Sequence, residues 1–295
     1  MKEQPNDLDI VIVSFNCVDL VAACLSSLER HPLTNRRVQV HLVDNASSDG
    51  TVEMTRTRFP DVTVWPLNTN AGFSAANNLV LRATHAPYAL LLNPDTEATE
   101  GALDHMVELM QRRTEVGISG CRLVLPDGTF DHAAKREFPT PLSALAHFTG
   151  VGQRLSMGRL AAYRSPDVPE TGSGPVGAVN GAFMLVRRSA MAQVGLLDEG
   201  YWLYMEDLDW CRRFWDRGWT VWYDGGTAFM HVKGGTTGSH RAGRQNIAFH
   251  RGMGRFYRRF DAPRHPRVAP FVYAAIGIKL AVSLVRGFFV RRTPV

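Results

Sequence analysis

The chain runs to 295 residues, 45% apolar and 21% charged, the balance of a globular protein of one large or two small domains. Its four cysteines, Cys17, Cys24, Cys121 and Cys211, form no C-x-x-C pair, which speaks against a zinc site or a disulfide framework and for a reducing compartment. The net charge of +5 is uneven: residues 240–295 hold twelve Arg or Lys against one acid, Asp261, leaving the remainder at −6, so the basic end is set to meet something anionic.

The polar start MKEQPNDLDI has no signal-peptide core and predicts a cytoplasmic protein. From there strand and helix signals alternate. DIVIVSF (9–15) reads as a strand, and Asp19 caps a helix through Leu28 that Pro32 stops. VQVHLV (38–43) is a second strand, with a helix from about Val52. VTVWPL (62–67) is a third strand, followed by a helix over 74–83. YALLLN (88–93) is a fourth, with a helix over 100–113 behind it. Such an order predicts an α/β fold with a parallel sheet covered by helices on both faces. Further on, 117–130 reads as a strand and a Pro126-Asp127-Gly128 turn, 131–175 as a long loop, and 176–188 as a strand. Residues 206–218 read as a helix, and 219–223 and 228–232 as two more strands.

In a parallel sheet ligands sit beyond the carboxyl ends of the strands. Here those ends are SFN (14–16), VDNASSDG (43–50), NTNAGF (68–73) and NPD (93–95), all rich in Asn, Asp, Ser or Gly. One polar strand end is a turn; four on one edge point to a site. The G-x-G-x-x-G at 172–177 is a decoy, because it contains Pro175 and precedes a strand rather than a helix. There is no G-x-x-x-x-G-K-[ST] either.

The stretches IVIVSFNCVDLVAACLSSL, LVDNASSDGT, NTNAGFSAANN, LLLNPDT, the run from VNGAFMLVRR to YMEDLDWCRRFWDRGW, and HVKGG together resemble the family 2 glycosyltransferases, within them the rhamnosyltransferase-like branch. The resemblance implies a GT-A fold: a Rossmann-like nucleotide-binding half (1–115) with a mixed central sheet, an acceptor-binding and catalytic half (116–255), and a basic amphipathic tail (256–295). It implies an inverting, metal-dependent transferase that moves a sugar, L-rhamnose from dTDP-rhamnose, to a lipid-linked or polysaccharide acceptor. A UDP-sugar donor (galactofuranose, GlcNAc or another hexose) and a non-catalytic glycan-binding protein are the alternatives.

Two demands of the chemistry assign the residues. The departing diphosphate gathers charge, which Mg²⁺ or Mn²⁺ neutralises through oxygen ligands. Asp95, at the tip of the fourth strand, suits that role, although the family's D-x-D is here Asn93-x-Asp95 and one carboxylate is missing. The alternative for Asp95 is a helix N-cap. By resemblance His231 is a second metal or phosphate contact and Lys233 touches phosphate. The acceptor hydroxyl must lose a proton, and Glu206, Asp207 and Asp209 lie at a predicted helix start, where the dipole favours anions. The resemblance gives the base to Asp207, with Glu206 and Asp209 orienting it or contacting acceptor. Ser14, Phe15, Asn16, Asp44, Asn45, Asn70, Gly72, Phe73, Asn77 and Asn93 fall to the nucleotide, Gly72 allowing close backbone approach to the ligand. Trp202, Tyr204 and Trp210 are candidate acceptor platforms.

Residues 268–290 are mostly apolar but carry Lys279 and Arg286, seven apart on one helical face with Ala275 and Ser283. That pattern predicts a helix lying in an anionic membrane surface rather than spanning it, hence a peripheral protein on the inner face of the cell membrane. The rival reading packs the helix on the protein's own body or in a homodimer. The partners are then donor, acceptor and membrane, and no nucleic acid.

Overall fold

The computed structural model describes residues 6–138, 165, 167–232 and 243–290. Its sheet grows outward from β1 (Leu8–Ser14), whose apolar run is buried on both faces. On one side β1 pairs in parallel with β2 (Val38–Asp44), and β2 with β3 (Thr63–Pro66). On the other it pairs in parallel with β4 (Tyr88–Leu92). The crossovers are α1 (Val18–Arg30), α2 (Thr51–Arg58) and α3 (Phe73–Ala83). Beyond β4 the sheet turns mixed. β10 (Phe183–Arg187) runs antiparallel between β4 and β6 (Val116–Val124), and β11 (Thr220–His231) lies parallel to β6. The full order is β3-β2-β1-β4-β10-β6-β11-β5, with β5 (Thr96–Ala98) at the edge and β8 (Ser173–Pro175) also on β11. A separate ribbon joins β7 (Lys135–Arg136) to β9 (Ala178–Val179). The remaining helices are α4 (Ala102–Arg112), α5 (Arg188–Val194), α6 (Glu206–Asp216), α7 (Gly243–Phe260) and α8 (Ala269–Val290). Leu8, Ile10, Ile12, Leu90, Phe183, Trp210, Phe214 and Phe229 are among the fully buried side chains, and the Phe183 and Phe229 rings lie 4.7 Å apart.

The mixed sheet and the helical tail agree with the expected fold class; several local expectations do not hold. Asp19 does not cap α1: the Val18 N–H donates to Asp49 Oδ2 at 2.9 Å, so the cap comes from the loop after β2. Asp95 caps no helix, because Thr96–Ala98 is a strand and α4 begins only after Gly101. The strand expected over 176–188 splits into β9 and β10 at Asn180–Ala182. The two strands expected over 219–232 are one, bulged between Asp224 and Ala228. There Asp224 accepts from Ser173 Oγ (2.8 Å) and the Gly226 N–H (2.9 Å). A Cβ at Gly225 would stand 2.4 Å from the Glu170 carbonyl oxygen, so the bulge admits only glycine. The loop expected over 131–175 contains β7 and β8 where it is described.

The tail helix α8 packs on the protein's own body with its polar stripe inward. α8 packs antiparallel on α7: the Tyr257 and Tyr273 rings meet at 5.6 Å, and Asn246 Nδ2 donates to Ser283 Oγ at 2.8 Å. Ile276 and Ser283 thus face the protein, and Lys279 lies on the same stripe by helical spacing. The apolar stripe Phe271, Ile278, Val282 and Val285 faces outward instead, with Phe271 76% and Ile278 66% exposed. Among the described residues no helix is long and apolar enough to cross a membrane.

Candidate active site

The carboxyl ends of β1, β2 and β4 lie on one edge of the sheet, and three loops are stitched together there. Ser14 Oγ donates to Asp44 Oδ1 (3.0 Å), and the Ser47 N–H to Asp44 Oδ2 (2.8 Å). Asn16, left-handed at φ 49°, accepts from the Ser48 N–H on Oδ1 at 2.8 Å, and its own N–H reaches Ser47 Oγ at 2.8 Å; asparagine tolerates that conformation better than most residues. Phe15 between them is exposed. Asn45 is turned inward: its Oδ1 accepts from the Ala71 N–H (3.1 Å) and its Nδ2 donates to Gly72 O (3.5 Å). It staples the third loop to β2 instead of presenting its amide outward.

That third loop makes a close approach, but to protein. Gly72 sits at φ 88°, and a Cβ there would lie 2.3 Å from Trp202 O and 2.4 Å from Trp202 Cδ1. The Phe73 N–H donates to Trp202 O (2.8 Å), Trp202 Nε1 to Asn70 O (3.3 Å), and the Gly72 N–H to Asn70 Oδ1 (3.0 Å). Gly72 is therefore required by the docking of Trp202, and Trp202 belongs to this loop as much as to an acceptor side. Asn77 is fully buried in α3, where its Nδ2 bonds Phe73 O (2.9 Å), and does not open to the edge.

β4 ends in Asn93-Pro94-Asp95, and the chain then turns into β5. Because β5 pairs with the end of β11, Thr96 lies opposite His231, and the Val232 N–H donates to Asp95 O at 2.7 Å. This pairing brings His231 Nε2 to 3.5 Å from Asp95 Oδ1. On its other side His231 Nδ1 is 2.9 Å from Asp131 Oδ2. Burial would lower the imidazole pKa, but the Asp131 and Asp95 carboxylates outweigh it and push it up to about 9. Asp95 and His231 are the pair that could hold a divalent ion. A carboxylate oxygen and an imidazole nitrogen suit Mg²⁺ or Mn²⁺, and Asp131 fixes the ring with Nδ1 occupied and Nε2 toward Asp95. Their spacing is near the roughly 3 Å between adjacent ligands of an octahedral ion with bonds of about 2.1 Å. Among the described residues no group of three or more His, Cys, Asp or Glu side chains could hold a metal. Lys233 lies outside the described residues.

One strand over, β10 carries the same edge toward α6. The Asn93 N–H donates to Ala182 O (3.0 Å), and the next residue back, Gly181, directs its N–H at Asp207 Oδ2 (3.4 Å). A Cβ at Gly181 would sit 3.6 Å from the Phe73 ring and 3.8 Å from Asp207 Cβ. The tip of β4, Phe73 and Asp207 thus meet across Gly181 and Ala182, the two residues just ahead of β10. Asp207 Oδ1 accepts the Leu208 N–H (2.8 Å), while Oδ2 takes a short charge-assisted hydrogen bond from Arg136 Nη2. Arg136 comes from β7 and is held by Val179 O (3.0 Å). Both partners of the pair are nearly buried.

The neighbouring Glu206 is different. Burial, then the Asp207 charge beside it, push its carboxyl well above the usual carboxylate range, to about 8. Its Oε2 is buried with no hydrogen-bond partner. Of the two neighbours, Asp207 is the one whose carboxylate is paired with a guanidinium, while burial favours the neutral form of Glu206. Two consecutive left-handed residues, Tyr204 (φ 69°) and Met205 (φ 73°), precede them and turn the chain into α6. Such conformations cost of order 1–3 kcal/mol each for non-glycine residues, so surrounding contacts must hold the turn.

Asp209 and Trp210 do not reach the cleft. Two residues on, Asp209 is fully buried, bonded by Arg213 Nε (2.7 Å), Arg259 Nη1 (3.1 Å) and Tyr201 OH (3.2 Å). Trp210 is in the core, with Nε1 on Gly195 O (2.9 Å). The sequence reading missed Asp131 and Arg136. Both stand in DHAAKREF, a segment whose only signal is its charge, with no periodicity to say where it lies.

A sheet of this order, with its strand tips gathered beside a carboxylate at a helix start, is the GT-A architecture of nucleotide-sugar transferases. The fold superposes with a TM-score of 0.60 on mannosyltransferase PcManGT from Pyrobaculum calidifontis in complex with GDP-Man and Mn2+, at 14% identity over 99% of this chain and 77% of that one. It superposes at 0.61 on GalNAc-T7 with UDP, GalNAc and Mn2+, at 13% identity over 87% of this chain and 48% of that longer one. In sequence it is 30% identical over 242 residues, 78% of each chain, to the N-acetylglucosaminyl-diphospho-decaprenol L-rhamnosyltransferase of Mycobacterium tuberculosis H37Rv. It is 24% identical over 212 residues, 70% of this chain and 61% of the other, to the low-salt glycan biosynthesis hexosyltransferase Agl10 of Haloferax volcanii. Residues 9–194 match the glycosyl transferase family 2 profile, and the chain belongs to that family of glycosyltransferases.

Proposed function

We propose that the protein is an inverting, metal-dependent transferase that moves L-rhamnose from dTDP-rhamnose to a lipid-linked or polysaccharide acceptor in cell-surface glycan synthesis. The observation that carries this reading is the meeting of two chemistries on one sheet edge. Asp95 with His231 lies at the end of β4, and Asp207, paired with Arg136, is reached from that end through Ala182 and Gly181 just ahead of β10. Asp207 takes the proton from the acceptor hydroxyl, which attacks the anomeric carbon from the face opposite the diphosphate and inverts it. Glu206, protonated, adds no second negative charge beside the incoming oxygen. Arg136 holds the Asp207 carboxylate in one orientation. When bound by Asp95 and His231, a divalent ion supplies Lewis-acid stabilisation of the leaving diphosphate.

The mycobacterial relative, whose name specifies L-rhamnose and a diphospho-decaprenol, supports this sugar and acceptor. The hexosyltransferase relative supports the alternative of a UDP-hexose donor. The tail fits a lipid-linked acceptor: the outward apolar stripe of α8 is bounded by exposed Arg258, Arg264 and Arg267 at the α7–α8 turn, apolar surface and cationic rim together suiting an anionic bilayer surface. The test is a panel of dTDP-rhamnose, UDP-galactofuranose and UDP-GlcNAc with Mn²⁺ or Mg²⁺ and a polyprenyl-diphosphate GlcNAc acceptor, the product's anomeric configuration read by NMR. Transfer of rhamnose with inversion supports the reading. Retention of configuration, or turnover with a UDP-hexose alone, replaces it.

A further inference from the structure

We infer that α7, which lies beyond the part of the chain matching the family profile, is a positioning element of the active site. It clamps the irregular segment 198–205 that aims Asp207. The inference rests on Asp207 acting as the base.

α7 touches this segment along its length. Arg255 reaches Asp198 with Nε (3.0 Å) and Nη2 (2.8 Å), and Arg259 Nη1 reaches Asp198 Oδ2 (3.2 Å) and Asp209 Oδ2 (3.1 Å). The Arg255 guanidinium also covers Gly200 so closely that a Cβ there would stand 2.1 Å from Cζ, and it lies 5.5 Å from the Tyr201 ring centre. Arg244 lies 4.2 Å from the Trp202 ring centre. Phe249 meets the Tyr204 ring edge-on at 5.9 Å. Under the two left-handed residues α7 has Gly252, where a Cβ would come within 3.0 Å of Tyr204 O and 3.1 Å of Met205 Cγ. The opposite side of the segment is pinned to the donor loop through Trp202 O and Phe73 N–H. The turn is therefore held between the donor loop and α7, and Arg255, Arg259 and Gly252 are positioning residues: they act on the reaction through the segment and touch no substrate. Asp209, two residues past the base, keeps Arg213 and Tyr201 when Arg259 is removed, so the loss of the clamp is separable from the loss of α6.

The test uses the full chain with Arg255 and Arg259 both changed to Met, Arg259→Lys as the conservative variant, and the exposed Arg251→Ala as control. Hydrogen exchange is read at the amides of 200–208 and in β1 and β4, and transfer is read as kcat and donor KM. The expected result is faster exchange at 200–208 with the strands unchanged. With it kcat falls roughly 10- to 100-fold, the scale of a misplaced catalytic group, while donor KM stays within about twofold. Arg259→Lys should recover part of the rate and Arg251→Ala should match wild type. Unchanged exchange at 200–208 overturns the clamp, and so does unchanged kcat despite faster exchange. If the double variant does not fold, Arg259→Met alone with wild-type exchange and wild-type kcat overturns it equally. A wild-type chain that transfers no sugar defeats the proposed reaction, while the exchange measurement still decides the clamp.

Discussion

The two sides of the cleft, which the proposed function assigns to donor and to acceptor, are built in opposite ways. The donor side is a row of strand-end loops, close to one another because their strands are neighbours, and stitched by short side-chain bonds such as Ser14–Asp44 and Asn45–Ala71. The acceptor side is assembled from distant pieces: Arg136 from β7, Gly181 from the β9–β10 break, Asp207 from α6, and α7 beneath them. A loop between paired strands is positioned by the sheet itself. The Asp207 carboxylate follows a left-handed turn and is held by what leans on that turn and by Arg136 and the Gly181 N–H, so the acceptor side depends more on single contacts from far along the chain.

Substitutions on each side break or sharpen that contrast. The largest effect is expected from Asp207→Asn on the acceptor side. It should lower kcat about 10²- to 10⁴-fold, the range for a lost general base, with the nucleoside diphosphate affinity in calorimetry nearly unchanged. An equal loss of nucleotide affinity would merge the two sides. Next is Asp95→Asn on the donor side, which should weaken Mn²⁺ binding, followed by electron paramagnetic resonance, at least tenfold. Asp131→Asn tests the same centre one step out. It leaves the ligand pair intact but removes the carboxylate that orients His231, and about a 10-fold loss of Mn²⁺ affinity is expected, the lower end for outer partners. If Asp131→Asn binds Mn²⁺ like wild type, His231 is not held for that purpose.

The smallest effect should come from Glu206→Gln. A neutral amide replaces a group already neutral at pH 7, so kcat should stay within about threefold. Its signature is in stability. The folded protein holds the Glu206 proton to about pH 8 whereas the unfolded chain releases it near the ordinary 4.5. The contribution is therefore complete below about 4.5 and is lost as pH rises through about 8. Glu206→Gln lacks that loss, so its melting temperature should gain on wild type between pH 6 and 9. A constant difference across that range would show Glu206 ionised throughout.

The same contrast marks how far the sequence could be read. The alternation of strands and helices up to residue 115, and the polar strand tips after β1, β2 and β4, were legible because period and turn chemistry are local signals. The motifs pointed to Asp95, His231 and Asp207, and the fold brings Asp95 against His231 and Asp207 to the neighbouring strand end. No motif marked Asp131 or Arg136: a charged residue in an aperiodic segment carries no sign of which distant group it meets. Asp209 and Trp210 failed for another reason. Proximity in sequence to Asp207 suggested a shared cleft, but a helix rotates about 100° per residue, and these two positions point into the protein. The tail shows the same limit. Its apolar and polar stripes were visible, but which stripe faces α7 is set by Ser283 meeting Asn246, a contact no pattern within α8 encodes.

The insertion of β10 between β4 and β6 has a mechanical consequence. β4, β10 and β6 are joined by continuous antiparallel main-chain ladders, so the two sides of the cleft are welded into one plate. They cannot swing apart like two jaws without tearing that ladder. Substrates must come and go past the rim, and any tightening around them falls to rim segments while the plate stays stiff.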